Sequence, residues 1–130
     1  TDNASLAGKM IGSQSGTIGM DTAEASTDAD KVFPYTKSLD AVLDLAGNKL
    51  YAVITDTPVA NAILAELNDP SLTISPSVTF GVEYYGIALG KGNAELKAKL
   101  DGAIQTLIDN GTIEELVTKW DIYHTAGDAE

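Results

Sequence analysis

The sequence contains no cysteine. Without thiols the chain has no disulfide framework, no thiol nucleophile and no cysteine-ligated zinc. Histidine is almost as scarce, and its single copy, His124, lies in a small, acidic segment that we expect to be a frayed tail. A serine–histidine–aspartate triad would depend on that one residue. Hydrolytic and metal chemistry are therefore poor explanations of the chain, and no cofactor is expected.

Basic residues are also few, because 8 Lys and Arg stand against 19 Asp and Glu and the net charge is -11. Nucleic acids and anionic membranes are bound through clustered Lys and Arg, so neither is an expected partner. Apolar runs are only a few residues long, whereas a membrane span needs about 20. No basic segment followed by an apolar block is present, so we expect any export signal to have been removed or never to have existed.

What the sequence does contain is typical of a globular α/β domain, with 44% hydrophobic residues in short β-rich segments that alternate with helical patterns. We expect a central sheet flanked by helices, followed by two C-terminal helices. The strongest predicted strand, residues 50–55, is apolar nearly throughout, as a buried parallel strand is. Further strands are predicted at 9–14 and 31–35, with weaker candidates at 72–74, 78–82 and 84–89. Helices are predicted from Thr17 to Ser26 and after the N-cap residues Ser38, Thr57, Asn93 and Thr112, the last in a capping box with Glu115.

The segment IGSQSGTIG, residues 11–19, joins the first strand to the first helix through a glycine-rich turn. The start of a helix offers unpaired N–H groups and a positive dipole end, which together bind anions. No lysine follows Gly16, although a nucleotide-binding phosphate loop would place one there, and a dinucleotide fingerprint is also missing. A carboxylate suits this loop better than a phosphate. The alternative is a tight turn that needs glycine only for its backbone conformation.

The segment VITDTPVA, residues 53–60, places Asp56 at the carboxyl end of the strongest strand. Ligands of parallel sheets bind at that edge. Pro58 suits the first position of a helix, which makes Thr57 the expected N-cap. The Asp56 carboxylate is then not needed as a cap, and we expect it to contact a cationic group of a ligand. The alternative is that Asp56 itself caps the helix.

Three segments resemble the extracytoplasmic solute-binding proteins of polar amino-acid ABC transporters: LAGKMIGSQSGT, YTKSLDAVLDLAGNKLYAVITDTPVA and YYGIALGKGNAELKAKLDGAIQTLIDNGTIEELVTKW. The resemblance covers residues 5–120 and includes the second half of such a protein only. It implies a single lobe of a type II periplasmic-binding-protein-like fold at 1–89. Residues 90–122 would be C-terminal helices that pack on the missing first lobe, and 123–130 a flexible tail.

The resemblance also implies a role for individual residues. Thr17 and the backbone N–H of Ile18 match the positions that hold the ligand carboxylate, and Asp56 matches the carboxylate that pairs with the ligand α-ammonium. Gln14 and Thr55 match variable positions that touch the ligand side chain or the lobe interface. Tyr51 departs from the family, which usually has Asp there, and we expect this change to alter local packing or the cleft rim.

The function implied is binding of a polar amino acid without catalysis, outside the cytoplasm, in partnership with an ABC transporter permease. Two alternatives use the same fold: an enzyme such as a cyclohexadienyl dehydratase, and the sensor lobe of a membrane receptor kinase. The C-terminal helices carry an apolar face, so we also expect them either to fold back on the lobe or to pair two chains as a homodimer.

Overall fold

The computed structural model describes residues 3–78, 80–81, 84–120 and 122 of the chain. The chain divides into two compact units, Thr1–Gly81 and Val82–Glu130. This division falls before the predicted domain boundary between residues 89 and 90, which stays a prediction. The predicted tail, 123–130, lies outside the described residues.

The first unit contains a three-stranded parallel sheet in the order β2-β1-β3. Its strands are β1 (Ile11–Gln14), β2 (Val32–Tyr35) and β3 (Ala52–Ile54). Each strand lies inside one of the three strongest predicted segments. The middle strand is buried from Ile11 to Ser13, because β1 has a neighbour on each side and helices pack over it. All three carboxyl ends therefore meet at one edge of the sheet.

Three helices connect and flank these strands. They are α1 (Ile18–Ser26), α2 (Ser38–Ala46) and α3 (Thr57–Leu67), and short 3-10 segments lie at Asn3–Leu6 and Ala29–Lys31. Helix α2 ends at Ala46, and just beyond it Asn48 adopts the left-handed conformation at a φ of 57°. The predicted α/β class, with a sheet flanked by helices, is confirmed.

One part of the buried core of the first unit lies between the sheet and α1. Leu6, Ile11, Ala23 and Ile54 form a buried apolar cluster, and Val32, Ala52 and Val78 pack against it. Full burial of an aliphatic side chain contributes about 1.5–3 kcal/mol, so these few residues supply much of the stability of a small unit.

The predicted strands after α3 are wrong for the described residues, since none of those in 72–74, 78–82 and 84–89 is in a strand. Residues 79, 82 and 83 lie outside the described part. These segments have β-forming side chains, but a strand also needs a hydrogen-bonding neighbour, which local propensity does not supply.

Three predicted N-caps are each displaced by one residue. Lys37, Asp56 and Gly111 occupy the N-cap positions, and none of them makes a side-chain capping bond. Ser38, Thr57 and Thr112 are instead the first residues of their helices. The predicted capping box of Thr112 and Glu115 is wrong because Gly111 turns the chain at a φ of 80° and Asn110 Oδ1 accepts the Thr112 N–H.

Tyr51 precedes β3, at the sheet edge opposite to the carboxyl ends of the strands. The Lys9 Nζ lies 5.0 Å from the centre of its ring. The expected effect of this departure from the family, on local packing or on the cleft rim, stays a prediction.

Helix α2 is tied to β2 by a group of three polar side chains. The Tyr35 hydroxyl donates to Asp44 Oδ2 at 2.9 Å, and Lys49 Nζ donates to Asp44 Oδ1 at 2.7 Å. The hydrogen bonds from Lys49 and Tyr35 lower the pKa of Asp44. Burial raises the pKa of Tyr35, and its bond to Asp44 raises it further.

We expect the Asp44 contacts to make folding stability depend on pH in the acid range. Because the folded-state pKa of Asp44 lies below its ordinary value of 3.8, the contribution is present above that value and is lost as pH falls through the folded-state pKa. Asp69, whose pKa is lowered by Ser71, adds a parallel contribution. Asp44→Asn should flatten part of the acid dependence of the free energy of unfolding, measured by urea denaturation at several pH values. A profile identical to that of the wild type would contradict this.

The second unit contains α4 (Ala94–Asp109) and α5 (Thr112–Lys119), which contact each other. Neither helix has a buried residue. The side chains exposed along them and just after them include Leu96, Ile104, Leu107, Ile108, Leu116 and Trp120. Across the described part of the chain, no helix combines the length and the apolar character that a membrane crossing requires.

Candidate functional site

The predicted ligand residues lie where the three parallel strands end. Ser13 pairs with Ile54, so Gln14 and Thr55 continue side by side from β1 and β3. Gln14 pairs with Tyr35 on the other side, which brings the residues after β2 to the same edge. The structure thus brings together five residues that the sequence places in two separate segments: Gln14, Thr17, Ile18, Thr55 and Asp56.

The loop between β1 and α1 is shaped by its own hydrogen bonds. Gly16 has a φ of 74°, a left-handed conformation that a side chain would strain. Thr17 is the N-cap of α1, and its Oγ1 accepts from the Met20 N–H at 3.3 Å and donates to the Gln14 carbonyl at 2.8 Å. The Thr17 hydroxyl therefore holds the loop against the end of β1. Its predicted contact with a ligand carboxylate stays a prediction.

The start of α1 presents backbone donors at this edge. The Met20 and Asp21 N–H groups donate to the Thr17 carbonyl. Ile18 and Gly19 are the first two helical residues, and N–H groups at these positions have no acceptor within a helix. Ile18 is 54% exposed, whereas Gly19 is buried against the sheet.

Gly19 allows α1 to approach the sheet closely. A Cβ at this position would lie 3.1 Å from the Ile54 carbonyl oxygen and 3.1 Å from Ser13 Oγ. Those two atoms are themselves bonded, because the buried Ser13 hydroxyl donates to the Ile54 carbonyl at 2.8 Å. The start of α1 is therefore packed tightly against the ends of both β1 and β3.

Ser38 completes a polar network that joins the three strand ends, and sequence reasoning missed it. Gln14 Nε2 donates to the Thr36 carbonyl at 3.0 Å, and Ser38 Oγ donates to Gln14 Oε1 at 3.2 Å. Ser38 Oγ also lies 3.3 Å from Thr55 Oγ1. The sequence analysis assigned Ser38 a capping role only. Its position at the start of the helix that follows β2, the neighbour of β1, could have indicated that its hydroxyl lies at the same sheet edge.

Asp56 stands at the N-cap position of α3, so the predicted cap at Thr57 is wrong. Its carbonyl accepts the Ala60 N–H at 2.9 Å, while its side chain makes no capping bond. The carboxylate is exposed. The expectation that this carboxylate is not used as a cap is therefore confirmed, although for a different reason than the sequence suggested.

A group that attracts anions and a group that attracts cations thus lie at the same edge of the sheet. The start of α1 offers N–H groups and the positive end of the helix dipole, which favour an anion. Asp56, at the end of the adjacent strand, offers a carboxylate, which favours a cation. A small molecule that carries both charges, such as an amino-acid zwitterion, matches this arrangement.

Known proteins are similar to this chain in sequence and in fold. The putative ABC transporter arginine-binding protein 2 of Escherichia coli K12 is 30% identical over 119 residues, which are 88% of this chain and 48% of that protein. A probable histidine-binding protein of Campylobacter jejuni is 34% identical over 120 residues, 84% of this chain and 45% of its own length. The chain is thus similar in sequence to amino-acid-binding proteins of ABC transporters. It spans about half the length of the relatives it matches.

A solved structure supports the same conclusion for the fold. An ancestral arginine-binding protein bound to arginine superposes with a TM-score of 0.77 at 30% identity, over 92% of this chain and 54% of that one. No family model matches the chain. The predicted single lobe of a type II periplasmic-binding-protein-like fold and the family resemblance are both confirmed.

Proposed function

We propose that the chain is the second lobe and C-terminal helices of the substrate-binding component of an ABC importer. Residues 1–89 would form the lobe, and 90–122 would form the helices that pack on a first lobe. Such a component captures its ligand between two lobes, and the closed form is recognised by the permease. One observation carries the proposal: the backbone donors of α1 and the carboxylate of Asp56 occupy the same edge of the sheet.

The proposed ligand is an amino acid with a basic side chain. The relatives are named as arginine-binding and histidine-binding proteins, and the ancestral structure holds arginine. In this chain Thr17 and the Ile18 N–H would hold the α-carboxylate, and Asp56 would pair with the α-ammonium. Gln14 and Thr55 would contact the side chain or the opposite lobe. The net charge of -11 favours the approach of a cation.

The chain would act outside the cytoplasm, where substrate-binding components meet their permeases, and it would not be an enzyme. The alternatives on this fold are a dehydratase and the sensor lobe of a receptor kinase. A dehydratase would convert prephenate or arogenate. Measured turnover of either compound would contradict the binding proposal and support the dehydratase. A membrane-spanning helix after residue 130 in the parent gene would support the kinase instead.

The proposal is tested by titrating the isotopically labelled chain with arginine, lysine and histidine while recording backbone amide NMR spectra. We expect the largest shifts at Ile18 and Gly19, with smaller ones at Thr55 and Asp56. Agmatine, which is arginine without its carboxylate, is the matched control and should shift Asp56 much more than Ile18. No saturable shift at any of the four residues, with any of the three amino acids, would contradict the proposed function.

We further propose that, where no first lobe covers α4 and α5, two copies of the chain pair through the exposed apolar side chains of these helices. Contiguous exposed apolar surface of this kind favours association. Sedimentation equilibrium should show a concentration-dependent dimer, and Leu107→Lys should shift it to the monomer. The exposed substitution Lys99→Ala on the same helix should leave the dimer intact. A monomeric wild-type chain at all concentrations would contradict pairing.

A further inference from the structure

Ser38 is not one of the proposed ligand contacts. Ser38 is only 6% exposed, and its hydroxyl lies between Gln14 Oε1 and Thr55 Oγ1. Both neighbours are proposed to face the ligand or the opposite lobe, so the argument rests on the proposed function. The question is which of these groups donates a proton and which accepts one.

The Thr36 carbonyl determines the orientation of the Gln14 amide. A carbonyl oxygen can only accept a hydrogen bond, so the amide atom 3.0 Å away must be the NH₂ nitrogen. The amide oxygen then faces Ser38. Reversing the amide would place two oxygen acceptors against each other at the Thr36 carbonyl, which leaves the observed orientation as the favourable one.

The orientation of the amide in turn determines the direction of the other two bonds. Gln14 Oε1 can only accept, so Ser38 must donate its hydroxyl proton to it. A hydroxyl has one proton, so Ser38 can only accept in its contact with Thr55. The Thr55 hydroxyl must therefore donate to Ser38. The three residues form one directed chain, from Thr55 through Ser38 to Gln14 and on to the Thr36 carbonyl.

We propose that Ser38 is a positioning residue that makes Thr55 a hydrogen-bond acceptor toward the ligand. With its proton committed to Ser38, the Thr55 hydroxyl has only lone pairs to offer. The next residue, Asp56, carries a carboxylate that accepts in the same way. The end of β3 thus selects ligand groups that donate hydrogen bonds, such as ammonium or guanidinium, and disfavours groups that present a carbonyl or carboxylate oxygen.

The hydrogen-bond chain is tested without any ligand by NMR of the Gln14 side-chain amide. Ser38→Ala removes the donor to Oε1 and should change both side-chain NH₂ resonances of Gln14. Ser38→Thr keeps a hydroxyl and should preserve them. Ser26→Ala is the matched control, because it removes a hydroxyl that donates to the Thr22 carbonyl at the far end of α1. Unchanged Gln14 resonances in Ser38→Ala would overturn the chain.

The selectivity is tested with arginine and citrulline, which have the same shape but differ in that citrulline replaces a terminal nitrogen with a carbonyl oxygen. In Ser38→Ala the Thr55 proton is released to bond that oxygen. The ratio of the arginine to the citrulline affinity should then fall about fivefold, the effect of one neutral hydrogen bond. Ser38→Thr and Ser26→Ala should keep the wild-type ratio.

Thr55→Val separates this mechanism from a general loss of structure. Without the Thr55 hydroxyl, adding Ser38→Ala should not change the arginine to citrulline ratio any further. A ratio that is unchanged in a folded Ser38→Ala variant, or that falls equally in both backgrounds, would overturn the proposal. A wild-type chain that binds neither compound would instead reject the proposed function, while the Gln14 resonances would still decide whether the hydrogen-bond chain exists.

Discussion

Replacing Asp56 with asparagine is expected to abolish measurable amino-acid binding while leaving the fold intact. The backbone of Asp56 begins α3 through its carbonyl, and its side chain makes no capping bond, so the amide should leave the helix start unchanged. What the substitution removes is the negative charge proposed to pair with the ligand α-ammonium. A hydrogen bond to a charged group is worth about 1.5–3 kcal/mol, which corresponds to a loss of about 10- to 150-fold in affinity.

The size of this effect has to be judged against a weak starting affinity. One lobe supplies only part of the contacts of a two-lobed site, so we expect a dissociation constant near or above about 1 mM for the isolated chain, or about 4 kcal/mol of binding free energy. NMR titration measures affinities in that range. A further loss of 10-fold or more should remove the saturable shifts at Ile18 and Gly19 altogether.

Asp30→Asn is the matched control for Asp56→Asn. Asp30 is an exposed carboxylate just before β2, at the edge of the sheet opposite to the candidate site, and its substitution changes the net charge by the same amount. It should leave the titration unchanged. Equal weakening in both variants would indicate that long-range charge, and not a contact with Asp56, attracts the ligand. Full binding by Asp56→Asn would contradict the assigned role.

Much of the fold can be predicted from local patterns in the sequence. The apolar segment that ends before Asp56 and the glycine turn before Thr17 each predict a strand followed by a helix, and both are confirmed. Parallel strands then bring their carboxyl ends to one edge, which is why distant segments could be assigned to one site. The observed strands are one to three residues shorter than predicted, because the ends of a strand depend on its pairing with a neighbouring strand, which local sequence does not define.

What the sequence could not supply are features that depend on a partner in space. Ser38, Thr57 and Thr112 all match the local signature of an N-cap, yet each lies one residue inside its helix. For Ser38 the reason is tertiary, since its hydroxyl bonds to Gln14, the last residue of β1, and to Thr55, the residue after β3. Local propensity treats a serine before an apolar run as a cap, and only the sheet order shows that this one faces other strand ends.

The same limitation applies to the segment after α3. Its β-forming residues were consistent with further strands, but of the described residues in this segment only Val78 packs against the core cluster. Hydrogen-bond pairing between strands is a non-local property. The β propensity of this segment therefore shows only that its side chains suit a half-buried surface, and it does not predict a pairing partner.

The largest effect on stability is expected from Ile11→Ala. Ile11 has an exposed fraction of 0% and lies on the middle strand, where it belongs to the apolar cluster with Leu6, Ala23 and Ile54. Truncation to alanine removes three carbons from a site whose surroundings are held by strands on both sides and by α1, so the cavity cannot collapse fully. Such substitutions cost about 2–5 kcal/mol. Single domains are stable by only about 5–15 kcal/mol, so this substitution removes a large fraction of the free energy of unfolding.

This loss is measured by urea denaturation with circular dichroism as the readout. Two further substitutions test whether the buried cavity is its cause. Ile11→Val removes one carbon and should cost about 0.5–1.5 kcal/mol, whereas Ile74→Ala, at a side chain that is 41% exposed, should cost much less. Ile11 also precedes Gln14 on the strand that leads into the α1 loop, so the core and the site share one element. Ile11→Val should therefore lower stability while keeping the arginine to citrulline ratio, the reverse of Ser38→Ala. A fully stable Ile11→Ala chain would show that the core lies elsewhere.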